Sequence, residues 1–196
     1  MSWYSLDEYG GLAPSISEVL ITESELHQKV REMGAAISRD YAGLNPLLVG
    51  VLKGVVVFLA DLQRAITIPI EMDCIAVSKY GPGGMGVVRL IKDLEASITG
   101  RHVLFVEDVV DTGLTLNYLL RNLRTRDPAS LDVCVLFNKP HHRLIDIPVK
   151  YAGFDLPDRF VVGYGLDYRE RFRNLPFVGV LAAETLQNHQ SDTESV

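Results

Sequence analysis

Glu107-Asp108-Val109-Val110-Asp111-Thr112-Gly113-Leu114-Thr115 is the stretch whose reading decides the fold. The run before it, Val103-Leu104-Phe105-Val106, has the β-branched and aromatic content of a strand buried on both faces. Beyond it, Leu116, Leu119, Leu120 and Leu123 recur as one face of a helix. The stretch is therefore expected to be a strand-to-helix loop at the carboxyl edge of a parallel sheet. That edge is where open α/β sheets bind their ligands.

The loop has two chemical halves. Glu107 and Asp108 repel phosphate, but they suit sugar hydroxyls, which donate to carboxylate oxygen, or a hard cation such as Mg²⁺. Thr112, Gly113 and Thr115 bring backbone N–H groups and hydroxyls to a helix N-terminus, which attracts anions. A ribose 5-phosphate satisfies both halves. The plainer alternative is an acidic turn with an N-capping Asp or Thr. Three acids, a Gly and two Thr between a buried strand and a helix favour the ligand.

Residues 107–115 resemble the phosphoribosyl-pyrophosphate signature of the type I phosphoribosyltransferases. Residues 161–176, VVGYGLDYRERFRNLP, resemble the hypoxanthine-guanine branch of that family. The resemblance spans roughly residues 15–184. It implies an α/β fold, a parallel-sheet core flanked by helices, with a small hood and a flexible lid loop. One domain over residues 1–196 is expected, with an N-terminal arm at 1–20, a base-binding hood at 138–176 and a disordered tail at 189–196.

Outward from the centre, Thr22-Glu23-Ser24-Glu25 matches a capping box opening a helix through about Tyr41. Leu26, Val30, Met33 and Ile37 form its apolar stripe, and Gly43-Leu44-Asn45-Pro46 ends it. Residues 47–52 read as a second buried strand, followed by Lys53-Gly54 and a helix carrying Val57, Phe58, Ala60 and Leu62. Glycine admits close backbone approach and Lys supplies charge, so Lys53 and Gly54 form a second anion position. In the resembled family the matching loop contacts pyrophosphate, often through a cis peptide.

Residues 66–77 read as a strand with Pro69 near its start, and residues 87–91 as its returning partner. Between them, residues 78–86 hold four Gly and one Pro, the composition of a hairpin tip, a linker or a lid that excludes water. The resemblance favours a lid of Ser78, Lys79, Tyr80 and Gly81, although Lys79 stands where many relatives carry Ser. Residues 131–137 form another buried strand, ending in Asn138-Lys139-Pro140-His141-His142-Arg143. The paired histidines lack the further ligands a metal needs. Residues 144–158 read as an irregular, apolar-studded segment, and residues 177–181 as the last strand.

The resemblance also implies residue roles. Lys139 would donate to the 6-oxo group of a purine, Phe160 would stack on the ring, and Val161 would present backbone to it. Twenty-one positions separate Lys139 from Phe160 (160 − 139), as in that branch. Asp167 would face metal or base, and Arg173 would hold pyrophosphate with Lys53 and Gly54. Glu107 and Asp108 would hold ribose hydroxyls and Mg²⁺, and Asp111 through Thr115 the 5-phosphate. Asp111 would be the general base, taking the N7 proton of hypoxanthine or guanine as N9 attacks phosphoribosyl pyrophosphate. Several relatives carry Lys in place of Leu114.

Composition sets the bounds. A chain of 196 residues, 47% apolar and 22% charged, suffices for one α/β domain. A net charge of −6 argues against broad nucleic-acid binding, and no apolar run reaches membrane-spanning length. Cys74 and Cys134 lie in apolar runs and read as buried free thiols in a reducing cytosol. A cytoplasmic homodimer or homotetramer is implied by the resemblance. A phosphoribosyl-pyrophosphate-sensing regulator would add a basic or nucleic-acid-binding face, which this chain lacks. An adenine transferase would oppose a Lys donor to a 6-amino donor, a mismatch; a pyrimidine transferase is the other competitor within the enzyme class.

Overall fold

The computed structural model describes residues 6–80 and 87–187. These residues fall into two compact units, one built from residues 28–158 and one from residues up to 27 and from 159 onward.

The larger unit is organised by a six-stranded sheet. Its strands are β2 (Leu47–Leu52), β3 (Glu71–Tyr80), β4 (Val87–Lys92), β5 (His102–Val110), β6 (Ser130–Asn138) and β7 (Tyr151–Asp155). The spatial order is β4-β3-β2-β5-β6-β7, and only the β3–β4 pair is antiparallel. Val103, Leu104, Phe105 and Val106 are fully buried, so both faces of β5 are covered, as expected of a parallel strand in mid-sheet. One face packs on helix α3 (Leu114–Arg124), whose Leu116, Leu119, Leu120 and Leu123 meet Phe105, Val133 and Val135. Each of those leucines contributes about 1.5–3 kcal/mol by burial.

Helix α1 (Glu23–Asp40) begins where the capping box places it. Glu25 Oε2 accepts from the Thr22 N–H at 2.8 Å and from its hydroxyl at 2.6 Å, while the Glu25 N–H donates back to Thr22 Oγ1 at 3.3 Å. The predicted stripe of Leu26, Val30, Met33 and Ile37 is buried throughout. Helix α2 (Val56–Ala65) follows β2 and buries Phe58, Leu59 and Leu62.

The smaller unit holds a three-stranded antiparallel sheet of β1 (Ile16–Ile21), β8 (Val161–Val162) and β9 (Val178–Leu181), in the order β1-β9-β8. Its core gathers Ile16, Val162, Phe172, Leu175, Phe177 and Leu181. A short helix α4 (Ala183–Gln187) ends the described chain.

Four boundaries differ from the sequence reading. Within the arm expected over residues 1–20, residues from 16 onward are a strand, because Ile16 to Ile21 pair with Leu181 to Val178. β3 begins at Glu71 rather than residue 66, since its ladder with β2 starts at the Leu47–Glu71 pair. β5 runs on through Val110, paired to β6 as far as Val110–Asn138, so Glu107 and Asp108 belong to a strand end and only residues 111–113 bend. Residues 151–155 form an edge strand within the segment read as irregular. The missing side chain of Gly153 matters there, because a Cβ would overlap the Leu136 carbonyl. Both cysteines are free; Cys134 is buried, its thiol pushed far up by that burial, while Cys74 is only half-buried. The expected tail at 189–196 and residues 1–5 lie outside the described residues.

Candidate active site

β5 carries the acids near the end of a rigid element. Glu107 is buried, 8% exposed, and Asp108 is half-buried, with Oδ1 accepting from the Val109 N–H at 2.8 Å. Chain reversal into α3 is made by Gly113, which sits at φ 82°, a left-handed conformation that glycine adopts without penalty. The Leu114 N–H reaches Thr112 Oγ1 at 3.4 Å, and the Asn117 N–H bonds the Gly113 carbonyl at 2.9 Å. The open N–H groups of the first turn of α3 thus follow directly on the acids, which is the two-part arrangement the sequence called for.

Residues 144–147 brace this loop from behind. The Leu144 N–H donates to the Thr112 carbonyl at 3.0 Å, and a Cβ at Gly113 would come within 3.2 Å of the Ile145 carbonyl and Ile147 Cδ1. Leu114 is 52% exposed and so makes little use of its apolar side chain.

The turn between β2 and α2 reaches the same edge. The Leu52–Lys53 peptide is cis, Lys53 is exposed, and its carbonyl accepts from the Val56 N–H at 3.2 Å. Gly54 touches the Asp108 carboxylate so closely that any side chain there would overlap it. Lys139 joins them through its backbone, its N–H donating to the Val110 carbonyl at 3.0 Å. Lys53, Gly54, Glu107, Asp108, residues 111–115 and Lys139 are therefore gathered at one end of one sheet.

In the smaller unit, Phe160 is 44% exposed and meets Tyr168 edge-on, with ring centroids 5.4 Å apart. Val161 is buried and pairs with Val180. The loop after β8 is shaped by Tyr164, Arg169, Glu170 and Phe172, all at positive φ. Arg173 holds that loop together: Nη1 donates to the Gly165 carbonyl at 2.8 Å, and Nη2 lies 2.8 Å from Asp167 Oδ1. The other Asp167 oxygen accepts from the Glu170 N–H at 2.9 Å.

The model for the phosphoribosyl transferase domain matches residues 21–169. The chain belongs to the phosphoribosyltransferase family. It is 48% identical over 171 residues to the bifunctional protein TilS/HprT of Listeria monocytogenes, covering 86% of this chain but only 26% of that one. The chain thus spans about a quarter of the length of those bifunctional relatives. Against the hypoxanthine-guanine phosphoribosyltransferase of Bacillus subtilis, identity is 48% over 168 residues, 85% of this chain and 93% of that one. A solved hypoxanthine phosphoribosyltransferase from Staphylococcus aureus superposes with a TM-score of 0.86 at 40% identity, covering 94% of this chain and 98% of that one.

In this phosphoribosyltransferase, β3 and β4 pair as antiparallel neighbours. Ser78 lies in β3 opposite Arg89, and the strand backbone continues through Lys79 and Tyr80. Gly81 lies outside the described residues. Two residues given no role by the sequence, His142 and Asp158, stand in line with Asp111. His142 Nδ1 is 2.7 Å from Asp111 Oδ1, and its Nε2 is 2.6 Å from Asp158 Oδ1. The signal was the second of the adjacent histidines, which were weighed only as metal ligands.

Proposed function

We propose that this phosphoribosyltransferase works in purine salvage, moving the 5-phosphoribosyl group of phosphoribosyl pyrophosphate onto hypoxanthine or guanine, with IMP or GMP and pyrophosphate as products. The observation that carries this reading is the split loop at the end of β5: acids on the strand, then a glycine turn into the N-terminus of α3. Glu107 and Asp108 receive the ribose hydroxyls, and the N–H groups and hydroxyls of residues 112–115 receive the 5-phosphate.

The C1–O bond to pyrophosphate breaks as the C1–N9 bond forms, with positive charge building on the ribose ring. Asp111 takes the N7 proton. Lys53, the Gly54 backbone and Arg173 balance the charge gathering on the leaving pyrophosphate. Lys139 donates to the 6-oxo group, Phe160 offers its face to the base, and the Val161 backbone meets the base edge. Asp167 acts from the same loop as Arg173, toward metal or base.

The donor set suits Mg²⁺. Among the described residues no group of three or more His, Cys, Asp or Glu could hold a metal alone. Two hard carboxylates, Glu107 and Asp108, match the habit of Mg²⁺ of taking one or two protein ligands and filling its shell from substrate oxygens and water. When bound, the ion supplies positive charge to the pyrophosphate.

The lid of Ser78, Lys79, Tyr80 and Gly81 closes during turnover. No helix among the described residues is long and apolar enough to cross a membrane. The reading includes a cytoplasmic homodimer or homotetramer, which light scattering on the purified protein checks. Hypoxanthine, guanine, xanthine and adenine, each offered with phosphoribosyl pyrophosphate and Mg²⁺, test the chemistry. Nucleotide is expected from the first two, and adenine as the sole acceptor would overturn the assignment.

A further inference from the structure

We infer that His142, clamped by Asp158, is a positioning residue that orients the carboxylate of Asp111 for proton transfer. This rests on the function proposed above. The three residues come from three neighbouring strands of one sheet, each just past the carboxyl end of its strand: Asp111 after β5, His142 after β6 and Asp158 after β7. His142 ends a single 3₁₀ turn, Pro140–His142, entered directly from β6. That turn is pinned on both sides, by the Lys139 N–H on the Val110 carbonyl at 3.0 Å and by the Leu144 N–H on the Thr112 carbonyl at 3.0 Å.

Each ring nitrogen of His142 faces one carboxylate oxygen, at 2.7 Å to Asp111 and 2.6 Å to Asp158. Carboxylates only accept, so both nitrogens must carry hydrogen and the ring is an imidazolium. An exposed pair of this kind contributes little to stability. Its value lies in geometry, because the Asp111 side chain is 53% exposed and would otherwise sample several rotamers. The bond engages Oδ1 of Asp111. The purine proton is then received on Oδ2, while the imidazolium keeps both of its own protons and Asp111 releases the new one to solvent. The logic is that of a base held in place by a third group.

The charged groups that act on the ring are Asp111 from the bend after β5 and Asp158 from the segment after β7. Lys139, His141 and Arg143 flank it along its own segment, and Arg143 Nη2 is engaged by Asn138 Oδ1 at 2.6 Å. The hydrogen bonds to Asp111 and Asp158 hold the imidazole above its ordinary range. A raised value means the clamp holds below that value and is released as pH rises through it.

Two measurements on the full chain test this. Long-range ¹H–¹⁵N spectra, with His142 assigned by its loss in H142Q, are expected to show a doubly protonated ring at pH 7 that titrates at lower pH in D158N. A singly protonated ring, or one indifferent to D158N, overturns the inference. In steady-state kinetics with hypoxanthine, H142Q is expected to lower kcat roughly ten- to a hundredfold at unchanged KM for phosphoribosyl pyrophosphate. D158N is expected to act in the same direction. H142R, cationic at every working pH, is expected to recover much of kcat and to remove the alkaline decline. An active wild type equalled by H142Q overturns this inference alone; a wild type that forms no nucleotide from any purine overturns the proposed function and this inference with it.

Discussion

Gly54 lies directly against the carboxylate of Asp108, with no room for a side chain between them. One residue lies in the turn into α2 and the other near the end of β5, so the contact joins that turn to the acidic end of the strand. Gly54→Ala is expected to displace the carboxylate, which is the mobile partner, rather than the backbone. The KM for phosphoribosyl pyrophosphate is expected to rise about tenfold, roughly 1.4 kcal/mol of lost binding, with melting temperature nearly unchanged. A variant with wild-type KM would show that the Asp108 position does not matter to the pyrophosphate donor.

Lys139 is held to β5 by its own N–H, and the proposed function gives its side chain the base to bind. Removing an amine that meets a substrate acceptor costs on the order of 1.5–3 kcal/mol when the bond is charge-assisted. Lys139→Ala is therefore expected to raise the KM for hypoxanthine ten- to a hundredfold and to spare that for phosphoribosyl pyrophosphate. Parallel losses for both substrates would count against a contact with the 6-oxo group.

Phe105 is fully buried at the centre of the sheet, against α3. Phe105→Ala removes a ring from a close-packed interior and leaves a cavity, costing about 3–5 kcal/mol. Urea denaturation is expected to show that loss as a lower midpoint at similar slope. A loss below about 1 kcal/mol would mean that the neighbouring helix collapses into the space.

The hydroxyl of Thr22, and after it the Thr22 N–H, holds the Glu25 carboxyl below its usual range near 4.5. A lowered value stabilises the folded chain above the ordinary carboxylate range, and that contribution is lost as pH falls through the lowered value. Thr22→Ala is expected to cost about 1 kcal/mol at pH 7. The gap between variant and wild type is expected to narrow as pH falls below 4.5, by thermal melts across that window. A gap that stays constant would place the effect outside the Glu25 bond.

Much of this protein is written in short-range pattern. The capping box at Thr22 and Glu25, the stripe from Leu26 to Ile37 and the continuous burial from Val103 to Val106 follow from side-chain spacing. Spacing is a local property set by the periods of helix and strand. The turn at Gly113 is legible on the same terms, whereas Phe160, exposed here, was singled out only through the family resemblance. Other features depend on partners far along the chain. β1 exists because residues near 180 lie alongside it, and β7 because an edge of β6 was free to pair and Gly153 fits over Leu136. The contact of Gly54 with Asp108, and the bridge from Asp111 through His142 to Asp158, join residues 54, 31 and 16 positions apart (108 − 54, 142 − 111 and 158 − 142). Neighbouring residues carry no trace of such meetings, because only the order of strands in the sheet decides which strand ends stand side by side.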